Sequence, residues 1–198
     1  MTLKVFGDAR SGNCQKVAFT ADHLGIPYEW VDVDILAQES HTPEFLALNP
    51  TGQVPVVQFA DGRTLAQSNA IIRYLAQGST LLPEEPYLQA KVDEALFWEQ
   101  YSHEPYVAVC RFQMLYLKKS AAERDAWRVE RADAALDHMN AQLEQRQWYV
   151  GKSISIADIA LLAYTRLAAD GGLDLSSRAQ VVRWISDCEL ALGIPGQI

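Results

Sequence analysis

Sulfur is scarce in this chain. Only three cysteines occur in 198 residues, Cys14, Cys110 and Cys188. Odd in number and far apart, they fit free thiols in a reducing compartment better than a disulfide framework. The four histidines, His23, His41, His103 and His138, share no metal-ligand spacing, so no metal is expected. Positive charge is also in deficit: 17 Lys and Arg stand against 25 Asp and Glu, a net charge of -8. The basic residues are scattered rather than striped, which sets nucleic acid aside as a partner. No apolar run approaches the roughly 18 residues of a membrane span. The opening "MTLKVFGDAR" has no apolar signal-like core either, so a soluble cytoplasmic protein with no membrane partner is expected. Internal repeats and low-complexity segments are lacking. No tyrosine precedes Tyr28.

What is present is enough apolar sequence, 49% of residues, to bury a sizeable core. In "TLKVFG", Leu3 and Val5 alternate with outward positions, the period of a strand, and Gly7 to Arg10 forms a turn. From Asn13, Val17, Ala18, Ala21 and Leu24 recur at helical spacing until "LGIP" stops the helix. "YEWVDVDI" alternates again, placing Val31, Val33 and Ile35 on one strand face, after a helix of the length that a right-handed parallel crossover needs. A short helix in "PEFLAL" and the turn "NPTG" lead into the strand "QVPVVQF". The pair Asp61-Gly62 is expected to reverse it into "RTLA" through a two-residue hairpin, and "SNAIIRYLAQG" closes the half as a helix. This order, β-α-β and then β-β-α, is that of a thioredoxin-like domain over residues 1–78.

"STLLPEEP" has prolines and no periodicity, which places a linker at 79–86. An all-helical domain is expected over 87–198. Ser120 with Glu123 reads as the capping box of a helix carrying Val129, Ala132, Leu136, Met139 and Leu143. Ser155 with Asp158 reads as another, with Ile154 and Ile159 as its hydrophobic staple. Pro105 either kinks one long helix from Tyr87 to about Leu117 or starts a separate helix.

Several residues carry chemistry beyond the fold. Pro55 interrupts a run that otherwise reads as an inner strand and removes a ladder donor. A cis Val54-Pro55 bond would turn the Val54 backbone out toward a peptide-like ligand; a trans proline on an edge strand is the plainer alternative. Gln67 and Ser68 stand immediately before a helix, where the serine can cap it and the remaining N–H groups can hold an anion. Ser11 and Asn13 stand at the mouth of the first helix, as simple caps or as groups placed beside its positive end. Cys14 is either a small buried hydrophobe or a thiol activated by that helix terminus.

Taken together, "SGNCQKV", "NPTGQVPVV", "LAQSNAIIRYLA" and "SISIADIALL" resemble the ordered signatures of the cytosolic glutathione transferases over nearly the whole chain. The resemblance implies a thioredoxin-like domain followed by an all-helical one, and a homodimeric detoxification enzyme with glutathione as co-substrate. It places Gln53, Val54 and Pro55 against the cysteinyl part of glutathione and Gln67 and Ser68 at its γ-glutamyl end. Ser40 or His41 falls near its glycyl carboxylate, and Asp158 matches the family's helix-capping aspartate. Classes that use a first-strand tyrosine are excluded by its absence here. Ser11 fits the serine-type activator, and Asn13 matches the asparagine of some bacterial relatives. Tyr101, Tyr106, Arg111 and Tyr116 are candidate walls of the pocket for a small hydrophobic electrophile, with core or dimer packing as the plainer alternative. Two other readings are carried. One is a glutathione-dependent disulfide reductase or peroxidase using Cys14, and the other is a non-catalytic interaction module on the same fold.

Ser-x-x-Cys would thus keep the frame of a two-cysteine site while the nucleophilic sulfur comes from glutathione. A free thiol with pKa about 8.5 is roughly 3% ionised at pH 7, and a drop of about two units makes it roughly 75%. The same drop weakens the nucleophile about six- to tenfold. A net gain of only a few-fold leaves most of the acceleration to positioning of the electrophile.

Overall fold

The computed structural model describes residues 3–196. They form two compact units, divided between Ser79 and Thr80.

The first unit contains β1 (Leu3–Gly7), α1 (Gly12–His23), β2 (Tyr28–Asp32), α2 (Pro43–Leu48), β3 (Val56–Gln58), β4 (Thr64–Ala66) and α3 (Ser68–Leu75). Alternation in β1 buries Leu3, Val5 and Gly7 and half-exposes Lys4 and Phe6, as period two dictates. The sheet order is β2-β1-β3-β4. β1 pairs parallel with β2 and antiparallel with β3, and β3 pairs antiparallel with β4. The β-α-β, then β-β-α order read from the sequence is therefore observed.

Three details differ from the sequence reading. β2 ends at Asp32, so Ile35 lies outside it; Val33 is buried just past its end, its N–H bonded to Gly7 O at 3.0 Å. The β3–β4 turn is centred on Ala60-Asp61 rather than Asp61-Gly62, with Gly62 N–H bonded to Phe59 O at 2.9 Å and Phe59 N–H to Arg63 O at 2.8 Å. Gly62 takes φ 86° there, the glycine position of a longer hairpin loop. Ser68 does not precede α3 but is its first residue, the N-cap being Gln67.

The second unit is helical: α4 (Pro86–Trp98), α5 (Glu104–Leu115), α6 (Ala126–Gln142), α7 (Ile156–Thr165) and α8 (Ala179–Leu192). Every residue of α7 is buried. A helix apolar on all sides belongs at the centre of a core, and Leu161 and Leu162 pack there with Val107, Leu136, Met139, Trp184 and Ile185. Leu81 and Leu82 are also buried, and Leu81 O accepts from Ile156 N–H at 3.0 Å, so "STLLPEEP" is partly built into this unit.

Between α4 and α5, residues Glu99–His103 form a π-helical turn, and Pro105 sits in the first turn of α5. Helical backbone runs unbroken from Pro86 to Leu115, and Pro105 lies at the π turn that interrupts it rather than at the start of a separate helix. The capping boxes at Ser120–Glu123 and Ser155–Asp158 both form. The first, however, closes a single 3-10 turn at Ala121–Glu123, and α6 begins at Ala126 after Asp125. No helix of the described residues is long and apolar enough to cross a membrane.

Candidate active site

Strand register gathers the predicted residues of the first unit at one end of its sheet. β3 runs against β1 with Phe6 opposite Val56, so Val54 and Pro55 lie beside the end of β1 that leads to Ser11. β4 runs against β3 with Val56 opposite Ala66, which brings Gln67 and Ser68 to that same end. The peptide bond between Val54 and Pro55 is cis.

Ser11 is the N-cap of α1 with extended backbone angles, and its side chain makes no capping bond. No acidic residue occupies the first turn of the helix. Asp8, the nearest carboxylate in sequence, is held by the Arg10 backbone N–H, Nε and Nη2 at 2.8–3.0 Å. The positive end of α1 is thus not matched by an acid of its own first turn. Asn13 Oδ1 accepts from Ser68 Oγ at 3.1 Å, a bond between the first turns of α1 and α3. Ser68 therefore spends its hydroxyl proton on α1 rather than capping α3 from outside.

Gln67 is exposed and adopts φ 69°, ψ 110°, a conformation that non-glycine residues rarely hold. Such backbone costs on the order of 1–3 kcal/mol and is kept where neighbours over-determine it. Gln53 is fixed by a residue outside the sequence reading: buried Asn49 donates from Nδ2 to Gln53 O at 2.8 Å while its Oδ1 accepts from Thr51. Asn before Pro-Thr-Gly was legible as a turn former, though not as a brace for Gln53. His41 Nδ1 bonds Ser40 Oγ at 3.1 Å. The ring lies against Gly52, φ 64°, where a Cβ would come within 3.0 Å of His41 Nε2.

Cys14 is fully buried. Its sulfur occupies the space beside Gly7, where an added Cβ would meet it at 2.9 Å. Burial pushes the Cys14 thiol up to about 12, against hydrogen bonds from the Ser11 side chain and the Asp8 backbone that pull it down. At that value the thiolate fraction at pH 7 is on the order of 10⁻⁵. Lys16, two residues on, is fully buried as well, and its Nζ donates to Asn69 Oδ1 at 3.2 Å. The sequence reading missed both Lys16 and Asn69; the only signal was a lysine inside the apolar stripe of α1.

The sequence pattern described as "Glutathione S-transferase, N-terminal domain" matches residues 10–77, and "Glutathione S-transferase, C-terminal domain" matches 96–189. The chain belongs to the glutathione S-transferase family. A crystal structure of a glutathione S-transferase from Pseudomonas fluorescens is similar at 47% identity, with 94% of each chain covered and a TM-score of 0.90. One from Xanthobacter autotrophicus is similar at 38% identity, covering 98% of this chain and 96% of that one, with a TM-score of 0.93. Glutathione S-transferase 3 of Zea mays is 32% identical over 165 residues, 79% of this chain and 73% of its own length. Membership makes this chain a transferase.

The helical unit of the transferase places the four candidate pocket residues differently. Tyr101 and Tyr106 line one open hollow of about 490 Å³, together with Trp98, Trp127, Arg131 and His138. Arg111 and Tyr116 are buried and do not line it. Arg111 Nε pairs with Asp170 Oδ2 at 3.0 Å. Tyr116 stacks on Phe112 with ring centres 5.0 Å apart. Asp158, fully buried, accepts from the Tyr149 and Ser155 backbone N–H groups, Ser155 Oγ and Trp184 Nε1 at 2.7–3.0 Å. Burial pushes its carboxyl up, and those four donors pull it back.

Proposed function

We propose that the chain conjugates the thiolate of glutathione to small hydrophobic electrophiles, with Ser11 as the hydroxyl that stabilises the thiolate. The observation that carries the reading is the gathering of Ser11, Val54 and Gln67–Ser68 at one end of the sheet, joined by the Ser68–Asn13 bond. An extended tripeptide there would lay its γ-glutamyl group on the first turn of α3 and its cysteinyl backbone on Val54. Its sulfur would then point to the open positive end of α1, with the glycyl carboxylate toward His41 and Gln53. Ser11, whose hydroxyl makes no capping bond, would turn it to the incoming thiolate. Two units of pKa lowering, about 2.7 kcal/mol, are within reach of one charge-assisted hydrogen bond plus a helix terminus. Asn13, whose carboxamide oxygen is engaged by Ser68, supports the γ-glutamyl end more directly than the sulfur.

Inaccessible and protonated, Cys14 favours this reading over a disulfide reductase or peroxidase that would use it. Tyr101 and Tyr106 remain the candidate contacts for the second substrate. A homodimer is part of the same reading. Calorimetric titration tests the core of the proposal: glutathione is expected to bind well below millimolar concentration and a chlorinated aromatic to be turned over. Silence in both would leave a non-catalytic module on the same fold.

A further inference from the structure

Lysine is rarely enclosed in a folded protein, because its ammonium loses its hydration on burial. Lys16 is nonetheless inaccessible, on a helix that packs directly against α3. Asn13 and Lys16 are three residues apart and so share one face of α1. They hold consecutive residues of the first turn of α3, Asn13 taking Ser68 at 3.1 Å and Lys16 taking Asn69 at 3.2 Å. Immediately before that pair stands Gln67 with its φ of 69°. For stability alone this is a poor use of a buried position. A methionine would fill similar volume with no charge to desolvate, and a cation disfavours the N-terminal end of a helix. The same charge is well placed if the first turn of α3 must hold a carboxylate-bearing group in a fixed geometry.

We infer that Lys16 is a positioning residue for the γ-glutamyl group of glutathione: by tying Asn69 to α1 it holds the Gln67–Ser68 turn in its binding conformation before the substrate arrives. Pre-forming that turn removes an ordering cost from binding. The inference rests on the transferase reading above and concerns a residue that touches no substrate.

Calorimetry on the full chain with S-methylglutathione, which keeps the γ-glutamyl group and lacks a free thiol, tests it. Lys16→Met should weaken binding about tenfold, the scale of one hydrogen bond to a charged group. KM for glutathione should rise in parallel, while kcat at saturation and KM for the aromatic substrate stay within about twofold. Lys16→Arg keeps a cationic donor and should recover most of the affinity. A lysine that served only the fold would lower the melting temperature and leave folded protein with parental affinity, and that result overturns the inference. Asn69→Ala removes the acceptor at a half-buried site and decides the matter should Lys16→Met not fold: weakened binding supports the tie, parental affinity overturns it. A parent protein that does not bind S-methylglutathione defeats the transferase reading itself, whereas a binding parent with an unaffected variant defeats only the role of Lys16.

Discussion

Ser11 and Ser155 both stand at the N-cap of a helix with extended backbone, at φ, ψ of -74°, 123° and -138°, 173°. At Ser155 the capping box is complete, with the hydroxyl and the backbone N–H both donating to Asp158 Oδ2 at 3.0 Å. At Ser11 there is no capping bond and no acid in the first turn. One helix start is neutralised by the chain's own carboxylate, and the other has no acid in its first turn. Electrostatically the two termini are alike; the helical unit uses its terminus to fold, and the proposed function gives the terminus in the sheet unit to chemistry.

The comparison is broken most forcefully at Asp158. Asp158→Ala strands four buried donors and should cost roughly 3–5 kcal/mol of stability, read from the urea midpoint. A loss under about 1 kcal/mol would mean that the box is not what holds α7. Ser11→Ala should do the reverse: a stability change within about 0.5 kcal/mol, and a rise of roughly one to one and a half units in the titration of bound glutathione's thiol, the helix terminus keeping the rest, followed by thiolate absorbance. An unchanged titration would remove Ser11 as the activator.

A further effect appears only at alkaline pH. The buried Cys14 thiol ionises only near 12 in the folded chain, against an ordinary value of 9.0. Below pH 9 both folded and unfolded forms hold the proton, so Cys14 adds no pH dependence. Between 9 and 12 the unfolded chain releases it first, and stability falls as pH rises, by up to about 1.4 kcal/mol per unit. Cys188, also raised by burial, adds in the same direction. Cys14→Ala should flatten the slope of stability against pH above 9, measured by urea unfolding at stepped pH.

Much of this was legible beforehand because the signals are local. Alternation in "TLKVFG", the Gly-Pro stop after α1, the "SISIAD" box and the turn residues of "NPTG" each constrain a few neighbours, and each fold element they imply is present. The errors also have local causes. Asp61-Gly62 suits two kinds of hairpin, and only the strand pairing decides that Gly62 follows the turn instead of sitting at its centre. Ser120–Glu123 satisfies the box pattern, yet Arg124 leaves the helical region at φ -70°, ψ 153°, so the helix restarts after Asp125. The π turn at Glu99–His103 left no mark in the spacing of apolar residues. At the candidate site, the residues that would meet a ligand announced themselves through recurring motifs. Those that brace them, Asn49, Lys16 and Asn69, did not, because their roles exist only once α1, α3 and the 49–53 loop are packed. Arg111 fell on the expected helix but pairs with Asp170, and Tyr116, just past the end of α5, stacks back on Phe112 of that helix.

Gly7 and Cys14 share a single volume, the sulfur of one standing where the side chain of the other would begin. Any lineage that enlarges residue 7 must make room at residue 14 and at Trp30, whose ring would stand 3.0 Å from the new Cβ. Space ties these three positions together, whichever chemistry the neighbouring serine serves.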